Sequence, residues 1–133
     1  MLNVKTRIAP STIHGIGLFA AEAIPAGTIV WEYTPTIDLL FTLKDVEQFD
    51  PIDVPTLRNY CYVNDCGDYV LCGDDARFWN FSENPNCDIK HSHHNPMARQ
   101  GEHPVITVRA IARGEEMTIS FRSDGDHKRK LGI

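Results

Sequence analysis

Arg77-Phe78-Trp79-Asn80-Phe81-Ser82-Glu83-Asn84-Pro85-Asn86 is the stretch on which the fold turns. Its ten positions hold three asparagines, three aromatics and a proline, a composition that no regular helix or strand sustains throughout. Pro85 has no N–H to donate and biases Asn84 toward extended angles, so Asn84-Pro85-Asn86 breaks the backbone. A loop that carries aromatic faces and amides together suits a ligand that is flat and polar.

Outward from this loop, short strands dominate. On the C-terminal side, Val105 to Ile111 is rich in β-branched residues and reads as a strand. Arg113-Gly114 then turns into Met117-Thr118-Ile119-Ser120-Phe121. On the N-terminal side, Tyr60 to Val63 and Tyr69 to Cys72 flank Asn64-Asp65-Cys66-Gly67-Asp68, the pattern of a hairpin. Val4 to Ile8, Leu18 to Ala21 and Thr28 to Tyr33 supply further strands, the last entered through the turn Pro25-Ala26-Gly27. Thr42 and Asp45 resemble a capping box for a short helix that Asp50-Pro51 ends, and Asp53 to Asn59 forms one more turn. Lys90 to Pro104 is a polar loop. Many short strands with two minor helices make a mainly β domain.

The chain has 133 residues, enough for one core, with 42% hydrophobic and 23% charged residues. A net charge of −5 argues against a sequence-independent grip on nucleic acid and favours a basic, Lys/Arg-rich partner. Without an apolar leader or a run of about 20 apolar residues, neither secretion nor membrane insertion is expected. An intracellular, cytoplasmic protein is the expectation. Cys61, Cys66, Cys72 and Cys87 are expected to be reduced thiols rather than disulfides. No cysteine pair has a zinc-knuckle spacing, although His91, His93 and His94 follow Cys87 closely. The expected metal content is none, with a Cys/His metal protein kept as a competing reading.

Four segments resemble, in order and spacing, the motifs of the SET-domain protein-lysine methyltransferases. Gly15-Ile16-Gly17-Leu18-Phe19-Ala20 is similar to the first, Glu32-Tyr33-Thr34-Pro35 to the second, Arg77 to Asn86 to the third, and Gly114-Glu115-Glu116-Met117-Thr118-Ile119-Ser120-Phe121 to the fourth. The resemblance implies a SET-domain β-clip fold with a C-terminal pseudoknot, filling residues 1–133 as one domain. About 40–59 would be a helical insert and 122–133 a short tail. It also implies S-adenosylmethionine as cofactor, held by His14, Gly15, Ile16, Gly17, Tyr60, Arg77, Asn80, Phe81 and Phe121. Two glycines in the first motif would let backbone approach that ligand closely. The target lysine of a basic protein segment would enter a channel walled by Tyr33, Tyr62 and Phe121, the catalytic side of the site.

Methylating an amine requires its neutral form, and a lysine with a pKa of about 10.4 is almost wholly protonated at neutral pH. A narrow apolar channel lowers that value by desolvating the ammonium, and alignment then supplies much of the rate. The family's catalytic tyrosine falls at Phe121, which has no hydroxyl. The chain is therefore either a methyltransferase or a non-catalytic module that binds cofactor or peptide in the same cleft. Glu83 stands where the family carries a zinc-binding cysteine, and no aromatic follows Phe121 to close the channel. A second copy completing the channel is the reason homodimerisation is expected.

Overall fold

The computed structural model describes residues 1–91 and 94–120. Among the described residues ten strands form two sheets. Seven belong to the larger: β1 (Thr6–Pro10), β2 (Ile16–Ala20), β3 (Ile29–Trp31), β7 (Asn80–Phe81), β8 (Cys87–Ile89), β9 (Val105–Thr107) and β10 (Glu116–Ile119). Its order is β1-β2-β10-β8-β9-β3, with β7 also paired to β10. The smaller sheet is β4-β6-β5, from β4 (Leu39–Phe41), β5 (Cys61–Val63) and β6 (Tyr69–Leu71), antiparallel throughout. The mainly β architecture read from the sequence is present.

β10 joins the two halves of the large sheet. Glu116 and Met117 pair antiparallel with Phe19 and Leu18, while Thr118 and Ile119 pair parallel with Asn80 and Phe81. Ile119 also meets Cys87 of β8. Leu18, Val30, Cys87, Ile111 and Met117 are buried in the core around this junction. Each large apolar side chain among them contributes about 1.5–3 kcal/mol by leaving water. Asn86 fastens the junction although it is polar and 1% exposed. Its Nδ2 donates to the Glu116 carbonyl at 2.7 Å and its Oδ1 accepts from the Thr118 N–H at 2.8 Å. One amide thus replaces a length of strand ladder beside the position where Pro85 interrupts it, satisfying polar groups whose burial would otherwise cost several kcal/mol.

The helices follow their local signals. α1 (Leu43–Glu47) begins with a reciprocal capping box between Thr42 and Asp45, and hydrogen bonds from Thr42 hold the Asp45 carboxyl below its usual range. α2 (Val54–Tyr60) carries proline in its first turn, where no N–H is needed. Among the described residues no helix is long and apolar enough to cross a membrane.

Several boundaries differ from those read in the sequence. The strand expected over Thr28 to Tyr33 ends at Trp31, because Asp38 captures the Thr34 N–H at 2.8 Å and turns the chain. Tyr60 closes α2 instead of opening a strand. β4 was not anticipated, since a three-residue strand has too little pattern to register. The strand expected over Val105 to Ile111 stops at Thr107, Ile111 making only an isolated bridge to Ile24. The Lys90 to Pro104 loop contains a 3₁₀ turn (Ala98–Gln100) capped by Gly101 at φ 79°, and Glu102 after it is buried. Phe121 and the 122–133 tail lie outside the described residues, as does His93.

Candidate functional site

Two hollows share one wall. The outer, of about 760 Å³, is lined by Ile13 to Ile16, by Pro55, Arg58, Asn59 and Tyr60 of α2, and by Arg77 to Phe81. The inner, of about 110 Å³, lies among Trp31, Tyr62, Cys72, Ile89, Glu102, His103 and Ile119. Asn59, Tyr60, Arg77, Trp79 and Phe81 line both.

The break at Asn84-Pro85-Asn86 and the pairing of β7 with β10 bring the third motif beside the first. Asn80 Nδ2 then faces the His14 carbonyl at 3.0 Å, the Ile16 carbonyl at 3.3 Å and Glu116 Oε1 at 3.1 Å. Its two amide hydrogens are committed within the protein, so Asn80 shapes the rim loop of the outer hollow. Arg77 donates through Nε and Nη2 to the Cys72 carbonyl at 3.2 and 3.0 Å and lies 5.9 Å over the Tyr60 ring. The Tyr60 ring in turn meets Phe78 edge-on at 6.1 Å. Aromatic faces, a fixed cation and loop backbone are therefore held together around the larger space.

The glycines of the first motif have different causes from the one expected. Gly15 sits at φ 44° with open space around a would-be Cβ, so conformation selects it. Gly17 is buried and lines neither hollow. A Cβ there would overlap the Glu116 carboxylate, lying 2.9 Å from its Cδ. The carboxylate of the fourth motif, not a ligand, excludes a side chain at Gly17.

On the inner side, Tyr62 packs edge-on against Trp31 at 6.1 Å and its hydroxyl reaches both Glu102 oxygens, at 2.7 and 2.5 Å. Glu102 is 2% exposed. Burial pushes its carboxyl up to about 7, against hydrogen bonds from Tyr62 and Asn64 that pull it down, with Asp38 and Asp65 adding repulsion. Burial also carries the Tyr62 phenol well above its ordinary range, reinforced by the Glu102 charge. Among the described residues the buried side-chain nitrogens without a partner are Trp31 Nε1, Trp79 Nε1 and His103 Nδ1, and all three residues line this inner hollow. Tyr33, expected on the channel wall, lines neither hollow; the turn closed by Asp38 carries it onto the core.

The Cys/His reading is not met by the cysteines. Burial raises the Cys61 thiol to about 11 and the Cys87 thiol to about 12, and lifts Cys72 further. Cys87 is wholly buried in β8. Among the described residues the group with ligand atoms close enough to share an ion is Asp65, His91 and His103, with no cysteine in it. His103 Nε2 lies 2.9 Å and His91 Nε2 3.5 Å from Asp65 Oδ2.

Sequence reading missed Glu102, Trp31, Trp79, Arg58 and Asn59. A signal existed for Trp79, inside the deciding stretch. None existed for Glu102, in a loop whose composition is that of solvated surface.

Residues 15–122 match the family model of the SET domain, and the chain belongs to that family. It is 33% identical over 115 residues to human histone-lysine N-methyltransferase 2B, covering 84% of this chain and 4% of that protein. To the H3 lysine-36 specific histone-lysine N-methyltransferase of Mycosarcoma maydis it is 28% identical over 126 residues, covering 91% of this chain and 12% of that protein. The chain thus spans a small part of these curated relatives. The solved structure of KRYPTONITE in complex with mCHG DNA and SAH superposes with a TM-score of 0.63 at 23% identity, over 90% of this chain and 24% of that one. At that identity the likeness establishes the fold.

Proposed function

We propose that this domain transfers a methyl group from S-adenosylmethionine to a lysine side chain of a basic protein segment. The observation that carries the reading is the pair of hollows meeting at Asn59, Tyr60, Arg77, Trp79 and Phe81. A methyl donor on one side and an amine on the other would meet across that wall.

The residues present fit the cofactor. The outer hollow lies in the size range of small-molecule sites. Tyr60, Phe78, Trp79 and Phe81 offer flat faces to a base, and Arg58 and Arg77 offer positive charge to a carboxylate. His14, Gly15 and Ile16 offer loop backbone along the same rim. When bound, S-adenosylmethionine supplies an electrophilic methyl carbon. SAH, the product such a donor leaves behind, is bound in the KRYPTONITE complex.

The chain's own residues do the rest. Tyr62, Trp31, Ile89 and Ile119 make the inner hollow mostly apolar, which disfavours a solvated ammonium and favours the neutral amine. The T-shaped Trp31–Tyr62 contact fixes the wall against which the alkyl stem would lie. The negative chain favours a basic segment as substrate, and the relatives named as histone-lysine methyltransferases act on proteins of that kind.

One specific feature favours the alternative of a binding module. Phe121, in the position of the family's catalytic tyrosine, has no hydroxyl to orient an amine. Two measurements separate the readings. Calorimetry with S-adenosylmethionine tests the outer hollow, and mass spectrometry of Lys-rich peptides incubated with enzyme and cofactor tests transfer. Binding with a mass gain of about 14 Da, one hydrogen replaced by a methyl group, supports the enzyme. Binding without mass gain supports the module, and no binding removes both.

A further inference from the structure

The inner hollow holds a feature that the methyl-transfer reading does not itself require. It is a buried carboxylate, Glu102, brought to an otherwise largely apolar space by a loop that sequence alone assigns to the surface. Its position is over-determined. The Asn95 side chain donates to the Glu102 carbonyl at 2.7 Å, the Glu102 N–H donates to Met97, and Asn64 Nδ2 binds the neighbouring Gln100 carbonyl at 2.9 Å. The Tyr62 hydroxyl then spans both carboxylate oxygens. That hydroxyl has one proton to give and the Asn64 side chain supplies a second hydrogen bond, which leaves part of the acceptor capacity of a carboxylate lining the hollow for a further donor. Resting on the methyl-transfer reading, we propose that Glu102, held by Tyr62, binds the ammonium of the target lysine in the inner hollow and accepts its proton.

The chemistry balances within the protein. The Nζ–H bond breaks with its electron pair left on nitrogen, and an O–H bond forms on a Glu102 oxygen. An ammonium and a carboxylate become an amine and a carboxylic acid. In water this transfer is uphill, since a lysine outranks a carboxylic acid by several pKa units. In a hollow of about 110 Å³, closed largely by apolar side chains, both charges lose hydration and the neutral pair gains accordingly. Burial has already raised the Glu102 carboxyl to about 7, so it is nearer a working base than an exposed glutamate.

Other ionisable groups face it. Tyr62 and Cys72 approach from the small sheet, Asp38 and Tyr33 from the turn after β3, Asp65 from the β5–β6 turn, and His103 is its chain neighbour. Arg77 lines the same hollow. Asp38 and Asp65 raise the carboxyl and so strengthen it as a base. His103 Nε2 lies 2.9 Å from Asp65 Oδ2, and its buried Nδ1, without a partner, belongs to a residue lining the hollow. The carboxylates of Asp38 and Asp65 near Glu102 favour a cation, and the Arg77 guanidinium on the same lining opposes them in part.

The probe is n-butylammonium, a lysine tip without its backbone, added to the whole protein carrying 13C-labelled glutamate carboxyls. One carboxyl is expected to titrate well above the others, to vanish in Glu102→Gln, and to fall by a unit or more when the probe binds. Glu102→Gln is expected to weaken the probe at least tenfold while leaving S-adenosylmethionine affinity within twofold. With a lysine peptide, log kcat should rise with pH up to the Glu102 midpoint and then flatten. In Glu102→Gln that bend disappears and kcat falls roughly a hundredfold or more. Tyr62→Phe keeps the carboxylate but removes a bond that lowers its pKa, so carboxyl midpoint and kinetic bend should move up together, which tests the assignment should Glu102→Gln fail to fold. A probe that leaves the carboxyl unmoved, or a Glu102→Gln enzyme with an unchanged pH profile, overturns the proposal and leaves methyl transfer standing. A probe-induced shift in a protein that never methylates overturns the transfer reading and leaves the ammonium site standing.

Discussion

Asn80 Nδ2 lies 3.1 Å from Glu116 Oε1, 36 residues further along the chain, and the same carboxylate occupies the space that a side chain on Gly17 would need. Three of the four family motifs therefore meet at one oxygen. The consequence is mechanical: the loop that rims the outer hollow is held by protein groups, and any ligand enters a rim already formed.

Asn80→Ala removes both amide hydrogens from this junction and leaves the Glu116 carboxylate short of a donor. A loss of about 1–3 kcal/mol in stability is expected, together with weaker S-adenosylmethionine binding as the 13–16 loop loosens. Thermal melts and calorimetry on the same preparation check both. A variant that melts like the parent and binds equally well would show that the loop holds its shape without Asn80.

The two glycines should separate cleanly. Gly17→Ala collides with the Glu116 side chain and should cost about 1–3 kcal/mol, whereas Glu116→Ala in the same chain should recover much of it. Gly15→Ala meets no atom within 4 Å but must hold φ 44°, so its cost, about 1 kcal/mol, should not respond to residue 116. A double-mutant cycle in urea measures the coupling.

Stability should fall with rising pH across the titration of Glu102. Its folded carboxyl, at about 7, binds a proton that the unfolded chain, at 4.5, has already released. The contribution is therefore fully present below pH 4.5 and lost as pH passes 7, amounting to on the order of 3 kcal/mol. Glu102→Gln removes this slope and should be the more stable protein at pH 8. Urea midpoints for both proteins between pH 5 and 8 test the sign.

Phe121→Tyr should raise methyl transfer, by roughly tenfold to a hundredfold, if an oriented hydroxyl is what the position lacks. Cofactor affinity should change little. The peptide mass-spectrometry assay, run on both forms at equal cofactor saturation, gives the ratio.

Thiol labelling at pH 8 should modify Cys66 at once and the other three only on unfolding. Cys66 is exposed, while Cys61, Cys72 and Cys87 are buried with thiols raised by desolvation. Intact mass after brief reagent exposure shows one adduct or more.

The parts of the fold legible in the sequence are those whose cause is local. Asn84-Pro85-Asn86 breaks the chain because of proline itself, and Thr42 with Asp45 starts α1 through bonds made within four residues. The hairpin of β5 and β6 follows from strand-forming residues flanking a Gly-containing turn. What escaped depends on distant partners. Glu102 reads as solvent-facing until Tyr62 and Asn64 close over it, 40 residues away in the case of Tyr62. Tyr33 reads as a strand aromatic until Asp38 bends the backbone away. Gly17 looked like room for a ligand because the side chain filling that room, Glu116, arrives from the far end of the domain.

β10 stands at the centre of the larger sheet yet, among the described strands, is the last to leave the ribosome. Until it arrives, β2 on one side and β7 with β8 on the other present open edges to whatever else is nearby. Such edges invite pairing with neighbouring chains. Nascent or truncated molecules that stop short of Glu116 should therefore clump rather than merely unfold, and the strand that completes the sheet also protects it from its own kind.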